Sequence, residues 1–471
     1  MRHFLYFVMF AFLTLVSAKP ISAQEVSEQR IREAMRKAAT YYYEKVSSHG
    51  GYVYHYLLDG SRQWGEGEAT DDQIWVQPPG TPTVGMAYVK AYQATGEPFY
   101  LQAATDAAEA LAYGQLKSGG WRNLVDFDPE SPHVAQYRHG GRGRNQSSLD
   151  DGQTQSALQL LIAVDRAHEF NHRELHEAAM YGLRALLAAQ FPNGGFPQVW
   201  TEPVEDRPVI KANFPDHDWR TEGRIKNYWD HYTINDDVPK YLTETLIEAH
   251  ETYHADKYLQ ALRGLGDFLI LAQLPEPQPG WAQQYNAEMQ PIWARRFEPP
   301  AVAGAETASM IETLMRIADY TGDRKYLEPI PAALAWLERS KLPSGEIARY
   351  YALETNRPLY MQRSNDRYEL TYDDSRLPDH YGWKWQIDLD SLRQQYQRAK
   401  AGKTPKPPAS EKEISAAARA ALGALDSQGR WVSVSDGRQM IGDLKLPPGT
   451  KFLSSAVFSE NLTALARRLR L

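Results

Sequence analysis

The chain has 471 residues, of which 42% are hydrophobic, 24% charged and 11% aromatic, and 52 basic against 59 acidic residues give a net charge of −7. This composition supports a large globular core and excludes a fibrous repeat, a small stapled domain or a mostly disordered chain, and the missing basic excess argues against nucleic acid as a partner. Cysteine is absent, so disulfides, thiolate metal sites and thiol nucleophiles are excluded; a metal would need His or oxygen ligands, and hard oxygens favour calcium or magnesium.

The first segment reads as an export signal. Arg2 and His3 precede an apolar run from Phe4 to Val16, and small-residue cleavage sites follow at Ala18 and Ala23. A signal peptide over residues 1–23 implies a secreted or periplasmic protein. The run is short for a membrane span, so no stable insertion is expected after cleavage.

Helix-period segments then recur in pairs. After an N-terminal helix near Glu28 to Glu44, Pro82 to Ala94 carries Val84, Ala87, Tyr88 and Ala91 at three-and-four spacing, and Pro98 to Gly114 follows. Further pairs run Thr154 to His168 with Glu174 to Gln190, Pro239 to His254 with Lys257 to Gln273, and Glu306 to Tyr320 with Arg324 to Ser340. A glycine followed by an aromatic residue closes the units at Gly51-Tyr52, Gly120-Trp121, Gly195-Phe196 and Gly280-Trp281. A repeat of two helices per unit means stacked α-hairpins. They can form an open solenoid or close into a ring. The long polar loops 119–150, 194–236 and 280–304 favour the ring, because loops of that length in a compact domain are usually functional and would crowd one pole. The fold class expected is therefore all-α: an incomplete α/α toroid of helical hairpins, with long loops lining a cleft at one pole and a few short strands.

Past Ser340 the pattern changes. Residues 343–390 are rich in Arg, Tyr, Asp and Trp, and 400–410 (KAGKTPKPPAS) read as an exposed linker. This places a catalytic toroid at 24–399 and a C-terminal segment at 411–471, with helices near Ala416–Leu425 and Ser459–Arg470, packing on the toroid.

Three blocks carry chemistry. SSLDDGQTQSALQLL holds Asp150 and Asp151; NYWDHYTINDDVPKYL holds Asp230, His231, Asn235, Asp236 and Asp237; PGWAQQYNAEMQPIWARRFEPP holds Gln283, Arg295, Arg296 and Glu298. Arg349, Arg357, Arg363 and Arg376 add cations downstream. Asp and Thr at helix starts are ordinary N-caps, so capping is the plain alternative for Asp150 and Asp236. Read together, carboxylates suit a hard cation, arginines grip carboxylates bidentately, and flat aromatics suit sugar rings. The set points to an anionic polysaccharide. Paired carboxylates alone would also serve a glycoside hydrolase.

These strings resemble the family 10 pectate lyases. LDDGQT is similar to that family's Asp-Asn-Gly-Ala-Thr block, FPNGGFPQVW to its Gly-Gly-Phe-Pro-Gln block and YTINDDV to its Thr-Tyr-Asn-Asp block. PGWAQQYNAEMQPIWARRFEPPAVAGAET is similar to its longest block, and TNRPLYMQRS and RLPDHYGWKW to its closing ones. The resemblance runs from about Asp150 to Trp385. The chain departs at Asp151, where the family has Asn, and at 201–227, an apparent insertion.

The resemblance implies a polysaccharide lyase acting on polygalacturonate by calcium-assisted β-elimination. Arg295 falls on the catalytic base, Asp236 on a metal-binding acid, and Asp150, Arg363 and Arg376 on substrate-binding positions. Calcium is the implied cofactor, polygalacturonate or a related uronan the partner, and a monomer the expected state. Free guanidinium keeps its proton, so Arg295 would act through a minor neutral form favoured by neighbouring cations, with an alkaline optimum. A hydrolase on a similar toroid and a non-catalytic glycan-binding protein are the two alternatives.

Overall fold

The structure, a computed structural model, describes residues 27–471 except 222–226, Asp366, His380, Ile441 and Asp443. The expected signal peptide lies outside the described residues. Among the described residues no helix is long and apolar enough to cross a membrane.

Twelve α-helices are described. They are α1 (Glu28–Lys45), α2 (Thr81–Thr95), α3 (Pro98–Tyr113), α4 (Gln153–Ala167), α5 (Arg173–Ala188) and α6 (Val238–Tyr253), then α7 (Asp256–Ala272), α8 (Gly304–Thr321), α9 (Ile330–Arg339), α10 (Leu389–Lys400), α11 (Glu411–Ala424) and α12 (Ser455–Leu469). The periodic segments match these helices to within a few residues at most ends. The segment from Arg324 splits into a 3-10 turn, Arg324–Leu327, and α9. Pro329 separates them, and proline's missing N–H and fixed φ prevent one continuous helix.

The hairpins form an α/α toroid. Helices α2, α4, α6 and α8 pack in succession as an inner row, each backed by the next helix in the chain. Helix α4 is buried nearly all round, with twelve of its fifteen residues buried, including Gln153, Thr154, Gln155 and Asp165. At their contacts small residues matter. A Cβ on Gly85 of α2 would lie 2.4 Å from Leu160 of α4, so any larger residue would push the two helices apart.

The two ends of the described residues meet. Helix α12 packs against both α2 and α1, so the last helix takes an inner place beside the first hairpin. Tyr42 of α1 stacks on Phe458 of α12 at 3.9 Å, and its hydroxyl bonds Ser455 Oγ at 2.9 Å. Strand Lys451–Ser454 pairs antiparallel with His55–Leu57. The segment 411–471 is thus built into the ring, with α11 against α12. At the other end α10 packs on α8 and α9, and residues 401–410 run between α10 and α11 with Pro405 buried.

The glycine-aromatic turns repeat one device. The first-turn Thr of an inner helix accepts the backbone N–H of the aromatic residue that closes the preceding hairpin: Thr81 from Tyr52, Thr154 from Trp121 and Thr307 from Trp281, at 2.9–3.1 Å. Gly194 shows why glycine stands there. It sits at φ +90°, and a Cβ would fall 1.8 Å from the Gly264 carbonyl oxygen of α7. These turns bring the long loops and the N-termini of α2, α4, α6 and α8 to one pole.

Candidate active site

Neither of the two candidate acids caps a helix. Asp150 and Asp151 form a 3-10 turn, Asp150–Gly152, and α4 begins after Gly152 with no side-chain cap bond. Asp237 is the N-cap of α6, again with no side-chain cap bond. The residues before each helix are left-handed: Asp151 at φ 44°, Gly152 at 74°, Asp236 at 55° and Asp237 at 53°. Left-handed backbone is costly for a side-chain-bearing residue and tends to cluster where function demands it. Here it turns carboxylates into the pole rather than onto helix ends.

Arg295 reaches those carboxylates from the loop before α8. Its Nη2 donates to Asp150 Oδ1 at 3.2 Å and to Asp236 Oδ2 at 3.3 Å. Its Nη1 donates to Glu298 Oε1 at 3.1 Å, and Glu298 Oε2 accepts the backbone N–H of Arg295 at 3.0 Å. Glu298 is buried and also accepts from the Tyr381 hydroxyl at 2.8 Å. Gln198, from the third closing turn, ties the acids together, with Nε2 donating to Asp150 Oδ1 at 2.8 Å and Asp236 Oδ2 at 3.0 Å. Gln284 in turn holds Gln198 Oε1 at 3.2 Å, and Asn235 Nδ2 donates to Asp236 Oδ2 at 2.9 Å.

Asp151 is held by other partners. It accepts from Gln77 Nε2 at 2.9 Å, and the same nitrogen reaches Glu66 Oε1 at 3.2 Å. One oxygen from each of Asp150, Asp151 and Asp236 lies within 4.8 Å of the others. Three hard anionic oxygens that close are a fit for calcium.

The electrostatics follow from crowding. Burial disfavours charge at Asp150, but its hydrogen bond with Asp236, the Arg295 charge and Gln198 outweigh that and hold its carboxyl below the ordinary range. Asp236 goes the other way, well above it, through burial and the neighbouring Asp150. The two behave as a pair that releases protons in separate steps. Asp151 is pushed up to about 7, first by burial and then by Asp150. Burial opposes the charge on Arg295, yet Asp236, Glu298 and Asp150 raise its proton affinity well above that of a free guanidinium. Acids, not the cations expected from the sequence, surround Arg295.

The other predicted positions are placed as follows. Arg363 lies on strand Pro358–Ser364, exposed, with its guanidinium 5.9 Å from the Tyr368 ring. Tyr368 packs on Phe297 at 5.4 Å, which links that hairpin to the Arg295 loop. Arg376 is exposed in the loop after strand Arg367–Thr371, and among the described residues no hydrogen bond or ion pair joins it to the acid cluster. Glu66 and Gln77 escape sequence reading because they sit on irregular chain before α2, and only ring closure brings them to α4. Gln198 lies within the FPNGGFPQVW string, but nothing in its spacing marks it as a bridge.

Residues 125–347, just under half the chain, match the family model described as pectic acid lyase. Over that segment the chain is similar to the pectic acid lyases. Its matched segment contains Asp150, Asp236 and Arg295. Among solved structures it is similar to the family 10 polysaccharide lyase from Cellvibrio cellulosa, at 19% identity over 68% of this chain and 97% of that one, with a TM-score of 0.48. It is also similar to a cellobiose 2-epimerase from Spirochaeta thermophila, at 13% identity over 96% and 99%, with a TM-score of 0.48. A family 76 glycoside hydrolase from a bovine Bacteroides thetaiotaomicron strain matches at 11% identity over 95% and 78%, with a TM-score of 0.48. No curated protein sequence matches the chain.

Proposed function

We propose that this polysaccharide-lyase-like chain is exported and cleaves a polygalacturonate-type uronan by calcium-assisted β-elimination. The observation that carries the reading is the meeting of the Arg295 guanidinium with Asp150 and Asp236, 145 and 59 residues away in the chain. Asp150, Asp151 and Asp236 would hold the cation, and Arg363 and Arg376 would grip uronate carboxylates bidentately. Calcium, when bound, supplies charge that neutralises the uronate carboxylate and stabilises the dianion that forms on proton loss.

Arg295 takes the proton from carbon 5. The C–H electron pair becomes the C4=C5 double bond, and the C4–O bond breaks with its pair going to the oxygen, which leaves on the departing chain and takes a proton from water. In the free protein the three acids hold the Arg295 proton. With a cation held by Asp150 and Asp236, that restraint would fall and a like charge would stand nearby, so the neutral guanidine would become more accessible. Glu298 keeps the arginine in place through two bonds. Activity is expected to rise toward alkaline pH.

A hydrolase reading has less support. Retaining and inverting hydrolases keep their carboxyls about 5–5.5 Å or 6.5–9.5 Å apart, whereas Asp150 and Asp236 are bridged by one Gln198 nitrogen and one Arg295 nitrogen. The test is Arg295→Ala. It should abolish the gain of ultraviolet absorbance on polygalacturonate, by about 10³-fold or more given what a general base contributes, while oligogalacturonate still binds. Full activity of the purified variant would overturn the assignment.

A further inference from the structure

Short backbone pairings set the order of the segments round the pole that carries the acids. The Asn123 carbonyl accepts from the Val76 N–H, and the Trp121 carbonyl from the Ser148 N–H, each at 2.8 Å. Leu149 then donates to Gln198, Gln198 to Trp229 and Ile234 to Gln283, at 2.8–2.9 Å. Ala303 donates to Trp281, strand Val302–Ala303 pairs with Tyr350–Tyr351, and that strand pairs with the start of Pro358–Ser364. Asp150 and Asp236 fall in the middle of this order. Arg363 stands toward one end, on Pro358–Ser364. Arg122 stands toward the other, between the residue bonded to Ser148 and the residue bonded to Val76.

Arg122 has a second cation beside it. Arg144 ends the run RHGGRGR at 138–144, which packs tightly on residues 134–135. A Cβ on Gly141 would fall 2.2 Å from the Ala135 carbonyl oxygen, and one on Gly143 would fall 1.8 Å from that of Val134. No larger residue fits at either place, and the loop so held leaves Arg142 and Arg144 exposed. Arg122 is half-buried, and burial first and then the charge of Arg144 lower its proton affinity. Among the described residues neither Arg122 nor Arg144 makes an ion pair or a side-chain hydrogen bond. Two cations that act on each other, one of them partly withdrawn from water, are stabilised by an anion that meets both. In a chain of net charge −7, this unanswered positive charge stands at the pole where the acids gather.

We infer that Arg122 and Arg144 form a distal subsite that grips a uronate carboxylate of the bound polymer, on the side of Asp150 away from Arg363. The inference rests on the uronan-lyase reading and extends its binding surface to a run of uronates longer than the cleaved pair. Polygalacturonate carries a carboxylate on every sugar, and a guanidinium takes a carboxylate bidentately. A neutral sugar at this place leaves both cations unanswered, so the subsite favours unesterified uronan.

The test is calorimetric binding of trigalacturonate and hexagalacturonate, with calcium, to Arg295→Ala, a background chosen to keep both intact. The hexamer is expected to bind about tenfold tighter than the trimer. Adding Arg122→Ala and Arg144→Ala should weaken the hexamer by about tenfold, as loss of hydrogen bonds to charged groups does, and the trimer by less than about twofold. Arg122→Lys in place of Arg122→Ala should restore part of the hexamer's affinity, which a folding fault would not allow. A hexamer no tighter than the trimer, a loss shared equally by the two, or affinities indifferent to both substitutions overturns the inference. Absorbance of the native protein on polygalacturonate separates this from the reading beneath it. A length-dependent loss with no unsaturated product sinks only the elimination; unsaturated product with a hexamer indifferent to Arg122 and Arg144 sinks only the subsite.

Discussion

Helices α4 and α6 both begin after two consecutive left-handed residues, and both are announced by an Asp–Asp pair. The two pairs are out of step by one position. Before α4 the left-handed residues are Asp151 and Gly152; before α6 they are Asp236 and Asp237. Counted from the helix start, Asp236 corresponds to Asp151, and Asn235 to Asp150. Yet Arg295 selects Asp150 from one turn and Asp236 from the other. Neighbours decide which carboxylate faces the site. Gln198 bridges the two chosen acids, Gln77 donates to Asp151, and Ser309 and Lys240 hold Asp237 at 2.7 and 3.4 Å. Identical dipeptides therefore carry different roles, and the third element that reads them is not local in sequence.

This contrast can be broken by substitution. The largest effect is expected from Asp236→Asn against Asp237→Asn. The first should cost about a hundredfold in calcium affinity or in turnover of polygalacturonate, in line with losses seen when metal-site partners are removed; the second should cost less than about threefold. Equal losses would show that the two positions are interchangeable. Gln198→Ala should cost about tenfold, because it frees both chosen acids from their shared donor; kinetics across a calcium titration would show whether the loss falls on affinity, as expected.

A subtler effect concerns Asp151, held up to about 7 by burial and Asp150. Its carboxyl keeps a proton in the folded state at pH values where the unfolded chain has lost it, so its ionisation lowers stability as pH rises from about 4 to about 7. Asp151→Asn removes that cost. In chelator, thermal unfolding should show the variant gaining on the native protein at pH 8, with the gain fading toward pH 4. A pH-independent gain in Asp151→Asn would refute the assignment.

Much of the fold was legible in the chain because the inner and outer helices repeat three-and-four apolar spacing and end in glycine-aromatic turns. Helix α10 was not legible. It buries only Leu389 and Leu392, so its apolar stripe is too thin to stand out. The place of α12 in the ring was not legible either, since its partners α1 and α2 lie at the other end of the sequence and no local pattern records that pairing. At the candidate site, Asp150, Asp236 and Arg295 were singled out through their strings, and the structure brings the three together. Glu66, Gln77 and the bridging role of Gln198 depend on closure of the ring. The surroundings of Arg295 were misjudged because net arginine content says nothing about which charges lie within 4 Å of a given guanidinium.

The most direct test of the central claim is the absorbance of purified protein acting on polygalacturonate, with calcium and then with excess chelator. The account predicts unsaturated product with calcium, loss of it in chelator and recovery when calcium is restored. Reducing ends without absorbance, or a rate indifferent to chelator, would contradict it.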